Sequence, residues 1–321
     1  MKRIIQLALF LLLAMLVVAC GNEEMEQPQA GAGEEVEGPA ADSGMRSFET
    51  VKGPVEIPSA PQRIVTDYYG GELLAVGGNV VGVEPSTFDN PFLTDYLTEA
   101  VEVGYPVNPE KTLELQPDLI VVMYDDNYEE LAKIAPTIHI PYGTATNIEE
   151  TVKLFADVVG DPEQGEQFLE EFEQAAAEGR ERLAGVIEED ATFGLYELTD
   201  KGDLWIFGEN AGRAGQAVYY ALGLKMQEKI KAEVEESGTG QISLEVLPEY
   251  AADYMFLTTY DPEKKGEALA ELQNSAVWNS LDAVQNETLF YNDFDTFYRY
   301  DPIAVKGQID LIVEMLLDTA Q

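Results

Sequence analysis

One cation stands out in a very acidic chain. Arg213 lies in the stretch 204–225, LWIFGENAGRAGQAVYYALGLK, after a glycine-rich turn and before a helix-compatible run that Gly223 would stop. A helix N-terminus disfavours a cation by ~0.3–1 kcal/mol, so an arginine there implies another partner. Ala211, Gly212, Ala214 and Gly215 carry almost no side chain, which lets a ligand approach the backbone closely. The chemistry this arrangement suits is a grip on a bound anion or polar chelate. The plain alternative is a surface arginine paired with one of the many carboxylates nearby. A second cation, Arg299, sits in the aromatic loop Thr296-Phe297-Tyr298-Arg299-Tyr300. Tyr68 and Tyr69 follow one apolar run and Tyr124 follows another, where aromatic rings can pack on a ligand.

Other chemistries lack their raw material. The 321 residues hold one histidine, His139, and one cysteine, Cys20. A protein-built zinc or copper site needs several such ligands, and a Ser-His-Asp or Cys-His relay needs a well-placed histidine. His139 lies in the apolar run Thr137-Ile138-His139-Ile140-Pro141 and reads as a strand residue rather than a base. Neither a resident metal nor a cofactor is expected. A tethered hydrolase built on paired carboxylates would have to use Asp125 and Asp126, which diverge as neighbours on a loop. The formal charge of -41 excludes electrostatic binding of nucleic acid or anionic lipid. An apolar fraction of 45% is enough for a sizeable core.

The elements that must hold these residues follow from apolar patterning. Residues 1–19 are a basic start and an apolar run, expected to be a secretion signal. Residues 20–45 are rich in Glu, Gly, Ala and Pro and read as a disordered tether with a reach of roughly 25–30 Å. Residues 46–155 alternate strands (63–66, 80–83, 118–123, 137–140) with helical stretches (72–76 and one ending at Ile134), which argues for a parallel α/β lobe. Ligands bind beyond the carboxyl ends of such strands, which puts Tyr68, Tyr69 and Tyr124 on the rim of a cleft. Within 156–189, residues 164–188 read largely as one connecting helix about 30 Å long. Residues 190–321 form a second α/β lobe, with strands at 191–196, 204–207, 253–259 and 289–291 and a loop over 197–203. Asp301-Pro302 reads as a cap and first position for a closing helix over 303–317. An internal echo links the lobes. Glu110 precedes Asp118-Leu119-Ile120, and Glu245 precedes Asp253-Tyr254-Met255, each through a short helical turn and a bend with a proline, Pro117 or Pro248.

Several of these features together resemble a known family. Val17-Val18-Ala19-Cys20-Gly21 resembles a bacterial lipobox, which implies lipidation of Cys20. Gly208-Glu209-Asn210-Ala211-Gly212-Arg213, running on through Ala221-Leu222-Gly223-Leu224-Lys225-Met226, and Leu115-Gln116-Pro117-Asp118-Leu119-Ile120 carry the rest. The chain from Cys20 onward resembles the solute-binding lipoproteins of bacterial iron-siderophore ABC importers, particularly the ferric-hydroxamate type of Gram-positive bacteria. The resemblance implies two Rossmann-like lobes with parallel-rich sheets joined by one long helix, the siderophore/vitamin B12-type periplasmic-binding fold. It implies that Arg213 contacts the chelate oxygens and that Tyr298, with Arg299 and Tyr300 beside it, packs on the ligand. Ala211 falls where relatives often carry Trp, so ligand shape is expected to differ here. The docking glutamates of the family fall on Glu110 and Glu245, facing basic residues of a membrane permease.

The expected activity is therefore capture and delivery without chemistry. A lipid-anchored monomer on the extracytoplasmic face would bind a ferric siderophore, hydroxamate or mixed carboxylate-hydroxamate, and pass it to an ABC permease with its cytoplasmic ATPase. The iron stays inside its chelator. Ferric citrate, haem or a corrinoid are the alternatives within the fold, and a surface hydrolase or adhesin lies outside it. The acidity of the chain repels anionic ligands, although salt shortens that repulsion to ~8–10 Å.

Overall fold

The computed structural model describes residues 44–319. The signal, Cys20 and nearly all of the expected tether lie outside the described residues. Met45, the last tether position, already belongs to a strand. Among the described residues no helix is long and apolar enough to cross a membrane.

A hairpin of β1 (Met45–Thr50) and β2 (Gly53–Pro58) opens the fold. Five parallel strands follow: β3 (Ile64–Thr66), β4 (Val80–Val83), β5 (Val101–Glu102), β6 (Leu119–Val122) and β7 (Thr137–His139). Their order is β5-β4-β3-β6-β7. β3 and β6 are buried along their whole length, as continuous apolar runs in parallel sheets are. The chain builds one side of the sheet from β3 and then returns to build the other from β6. Strand order therefore reverses between β3 and β6, and a crevice opens beyond their carboxyl ends.

The second sheet is mixed. It contains β8 (Thr192–Thr199), β9 (Leu204–Phe207), β10 (Lys225–Met226), β11 (Thr239–Ile242), β12 (Tyr254–Tyr260) and β13 (Leu289–Asn292). The order is β11-β9-β8-β12-β13, with β10 beside the start of β8. β12 runs parallel to β8 and β13, whereas β9 is antiparallel to both of its neighbours, β8 and β11. The loop expected over 197–203 is shorter than that. β8 continues to Thr199, whose N–H and C=O bond Asp203 O and Gly202 N at 3.0 Å each to close a tight hairpin. Glu197 thus stays in the sheet.

The connecting helix is Pro162–Leu183, 22 residues or ~33 Å long. It starts ahead of the expected position because Pro162 opens the first turn and Asp161 accepts the Gln164 N–H at 3.0 Å. The closing helix is Pro302–Asp318, capped as expected by Asp301, which accepts the Ala304 N–H at 3.0 Å. It packs on the connecting helix and on the short helix Gly70–Ala75. Lys306–Glu171 at 2.8 Å and Arg182–Glu314 pair the rims of the two long helices.

A single apolar core joins the two sheets. It takes Ile64, Leu119 and Val121 from the first, Phe193, Leu195 and Phe256 from the second, and Phe155, Phe172, Ile309 and Ile312 from the helices between them. The outer face of each sheet has its own cluster, around Val65, Ile120 and Leu131 in one and Tyr196, Met255 and Trp278 in the other.

Candidate functional site

The carboxyl ends of β3, β6 and β7 and, from the second sheet, the end of β9 and the start of β11 face one cavity of about 870 Å³. That volume suits a single organic ligand of substantial size. Arg213, Ala211, Phe207 and Tyr300 line it from one side, and Tyr69, Glu72 and Tyr142 from the other.

Arg213 reaches the cavity from a loop under strain. Gly212, Arg213 and Ala214 have φ of +75°, +53° and +66°. A left-handed conformation costs roughly 1–2 kcal/mol at each of the two residues that carry a Cβ. Such strain persists only where the surroundings enforce it and gathers at ligand clamps. Gly215 provides the close approach. A Cβ there would lie 2.3 Å from Glu209 O and 2.5 Å from Gly208 O. The helix that follows, Gln216–Ala221, is a wide π-type turn, and the Gln216 side chain accepts the Ile148 N–H at 2.6 Å. This bond ties the loop to the start of the helix Ile148–Val159.

Arg213 lines the cavity, and it is also paired. Its Nε donates to Glu197 Oε2 at 2.8 Å, and Nη2 lies 2.6 Å from the same oxygen. The Arg213 and Glu197 side chains are 15% and 8% exposed. The guanidinium also sits 4.4 Å from the Phe207 ring and 4.8 Å from the Tyr298 ring. Glu197 was missed because its stretch reads as a loop. The available signal is alternation, since Glu197 shares a strand face with core residue Leu195.

Asp67, directly after β3, was also missed. Its buried carboxylate accepts the N–H groups of Tyr68 at 2.6 Å, Met123 at 2.9 Å and Tyr124 at 3.1 Å. Burial pushes this carboxyl up to about 6, while the same N–H groups pull it down. Asp67 therefore pins the ends of β3 and β6 at the reversal of strand order and sets where Tyr68 and Tyr124 project. These two rings and Tyr105 meet edge to face, with centroids 5.5 to 6.1 Å apart. Burial and the nearby Glu84 carboxylate push the Tyr68 phenol up to about 12, and burial also raises Tyr124. These phenols stay neutral and offer hydrogen bonds and apolar faces.

The other expected residues divide between walls and supports. Tyr69 donates its hydroxyl to Ile140 O at 2.6 Å and presents a ring to the cavity. Tyr298 stacks on Phe294 at 4.8 Å and on Arg213. Tyr68, Tyr298 and Arg299 border a smaller adjoining cavity, and Tyr124 borders the hollow beside Asp67. Arg299 sits apart from the other cation, Arg213. Its Nη2 donates to Ser86 O at 2.9 Å and its Nε to Asp295 O at 3.3 Å, so it ties loops together and does not line the large cavity. Glu110, on the helix Pro109–Leu115, and Glu245, in the turn Leu244–Val246, are both exposed, ahead of β6 and β12 respectively. Ser243 holds the Glu245 carboxyl below the usual range. The echo is imperfect, because Pro248 opens the short helix Leu247–Tyr250 instead of forming a bend; proline fits a first helical turn. Among the described residues no group of three metal-ligating side chains converges, and His139 contacts Met123 O at 3.1 Å from β7.

Two mixed or parallel sheets, one helical link and a cleft at the strand ends define a bilobal binding protein. Residues 66–296 match the periplasmic binding protein family model, and the chain belongs to that family. It is 49% identical to the iron(3+)-hydroxamate-binding protein YxeB of Bacillus subtilis, over 100% of this chain and 98% of that protein. It is 33% identical to the iron(3+)-hydroxamate-binding protein FhuD of the same bacterium, over 95% of each. Among solved structures, FhuD2 of Staphylococcus aureus with bound ferrioxamine B matches with a TM-score of 0.72 at 25% identity, covering 81% of this chain and 100% of that one. A FhuD-fold component of a ferrichrome ABC transporter from B. subtilis matches with a TM-score of 0.76 at 32% identity, covering 84% and 99%. These relatives are binding proteins, not enzymes.

Proposed function

We propose that this protein is an extracytoplasmic receptor that holds a ferric hydroxamate siderophore in its cleft and delivers it, iron still chelated, to an ABC permease. The observation that carries this reading is Arg213, presented into a cavity of about 870 Å³ by a strained loop and flanked by aromatic rings. A guanidinium N–H to a chelate oxygen is a charge-assisted bond of ~1.5–3 kcal/mol. The ligand class is supported by the names of the relatives at 49% and 33% identity. Arg213 already answers Glu197, and the other lining cation, Lys231, is outnumbered by the lining acids Glu209, Glu235 and Glu236, so the cavity offers little net positive charge. This favours an uncharged hydroxamate chelate over a carboxylate chelate such as ferric citrate. Lipidation at Cys20, a monomeric state, and docking of Glu110 and Glu245 on basic residues of the permease complete the reading.

Titration with ferrioxamine B, followed by tryptophan fluorescence, tests it. Trp205 is the reporter, two positions along β9 from cavity residue Phe207, whereas Trp278 is buried in the outer core. Saturable quenching at sub-micromolar concentration is the expected result. Tight binding of ferric ion without a chelator, together with no response to ferrioxamine B, would sink the reading.

A further inference from the structure

Glu72 is an acid in an unusual position. It borders the large cavity and also the smaller one, about 40 Å³, lined by Glu84, Asn90, Arg299 and Asp301. The residue is 4% exposed, and its Oε2 is buried without a hydrogen-bond partner. Leaving a buried polar atom unpaired is costly, so a carboxyl retained at a cavity wall calls for a partner, and a rotation of the side chain into the bordering cavity would bring Oε2 to one that arrives with the ligand.

The neighbouring Asp301 decides its protonation. Asn90 Nδ2 donates to Asp301 at 2.8 Å and the Ala304 N–H at 3.0 Å, at the N-terminus of the closing helix, where an anion is favoured. Gly71 lets the two acids approach, since a Cβ there would stand 2.4 Å from the Asp301 carboxyl carbon. Asp301 thus has the partners an anion needs, whereas Glu72 Oε2 has none. Burial and the nearby Asp301 carboxylate push Glu72 well above the usual carboxylate range, so the proton resides on Glu72. The other groups that face it are Asp67 and Tyr69 from the segment after β3, Tyr300 beside Asp301, and Glu84 and Arg299 across the small cavity. None of them supplies the missing bond. Tyr69 donates to Ile140 O and Arg299 to backbone carbonyls.

We infer that Glu72 is a ligand-contact residue, a neutral carboxylic acid that donates a hydrogen bond to an uncharged acceptor on the chelate, such as a hydroxamate or amide carbonyl oxygen. This inference rests on the receptor reading and adds a contact to it. A protonated acid in an apolar wall is a donor that a carboxylate is not. An anionic arm at the same place would face Asp301 across Glu72 and be repelled.

The test titrates ferrioxamine B into wild type, Glu72→Gln and Glu72→Leu from neutral pH upward, as far as thermal melts show the fold intact and until Glu72 is seen to ionise by the carboxyl infrared band. Glu72→Gln keeps a donor, so it binds within about threefold of wild type at neutral pH, with an affinity flat in pH. Wild type weakens by up to about tenfold per pH unit once the acid ionises. Glu72→Leu has no donor and weakens at least about tenfold, its folding checked by thermal melt. If Glu72→Leu does not fold, the flat profile of Glu72→Gln against the falling one of wild type decides. A merely structural Glu72 would shift melting temperatures but give both proteins the same pH profile, and that result overturns the inference. Wild-type affinity in a folded Glu72→Leu overturns it too. A wild type that does not bind ferrioxamine B at all overturns the receptor reading instead.

Discussion

The pairing of Arg213 with Glu197 and its proposed ligand contact can be separated by substitution. Arg213→Met strands Glu197, 8% exposed, beside the Phe207 and Tyr298 rings. Breaking a buried pair by removing one partner costs about 3–5 kcal/mol. At about 2–4 °C per kcal/mol for a domain of this order of size, the melting temperature falls by roughly 6–20 °C. The double variant Arg213→Met/Glu197→Leu removes both charges and fills the space with apolar groups. Methionine sulfur between aromatic rings also recovers part of the lost cation–π attraction. Stability then returns to within about 2 kcal/mol of wild type or exceeds it. Affinity for ferrioxamine B behaves differently. A charge-assisted contact of ~1.5–3 kcal/mol converts to a loss of about 10- to 150-fold, and it persists in the double variant because the donor is still absent. Circular-dichroism melts and Trp205 quenching measure the two effects on the same samples. A double variant that regains both stability and affinity would show that Arg213 only packs the wall, and the ligand assignment would fall.

Three further outcomes are expected. Glu110→Ala combined with Glu245→Ala leaves ligand affinity unchanged and abolishes permease-dependent uptake of radiolabelled iron; uptake at the wild-type rate would remove the docking role. Glu72→Gln stabilises the fold against denaturant increasingly as pH rises from the ordinary glutamate value of ~4.3. The folded wild type holds a proton through that window that its unfolded chain releases, so its own stability falls with pH, and parallel curves for the two proteins would contradict the buried neutral acid. Gly215→Ala drives a methyl onto Glu209 O and Gly208 O, at 2.3 and 2.5 Å, and displaces the loop carrying Arg213. Affinity loss with a shifted Trp205 emission maximum is the expected readout.

Legibility followed the range of the physics. The cap at Asp301-Pro302 was readable because capping is local chemistry, and the connecting helix begins two residues ahead of its expected start because the same kind of cap at Asp161-Pro162 went unread. The continuous apolar run over 118–123 marked β6 for the same reason: burial on both faces leaves no polar position. What escaped depends on partners distant in the chain. Glu197 and Arg213 meet only when β8 extends past the expected loop. Asp67 is an acid after an apolar run until β6 brings the Met123 and Tyr124 N–H groups onto it. Glu72 reads as a favourable acid in the first turn of a helix, and only its packing against Asp301 makes it unusual. Arg299 shows the same dependence on distant partners. Its aromatic neighbours suggested a ligand, but the Ser86 carbonyl it bonds lies far back in the chain. The antiparallel pairing of β9 with β8 and β11 was equally hidden, since an apolar run announces a strand without naming its partner.

These distant contacts also bear on how the cleft can work. The core between the sheets is continuous from Ile64 and Val121 through Phe155 and Phe172 to Leu195 and Phe256. Opening the lobes like a hinge would expose that core, at about 25 cal/mol for each Å² of apolar surface uncovered. Three polar ties cross the same boundary: Gln216 to Ile148, Asn90 to Asp301, and Arg299 to Ser86. Selectivity in such a molecule has to be present before the ligand arrives, in surfaces held at a fixed separation. The strain at residues 212–214 and the proton kept on Glu72 are then the free energy spent in advance to hold a donor from each lobe toward one cavity. A ligand whose acceptors span Arg213 and Glu72 gains both bonds without waiting for closure. One that offers a second carboxylate meets Glu197 and Asp301, the anions that already occupy the space behind those donors.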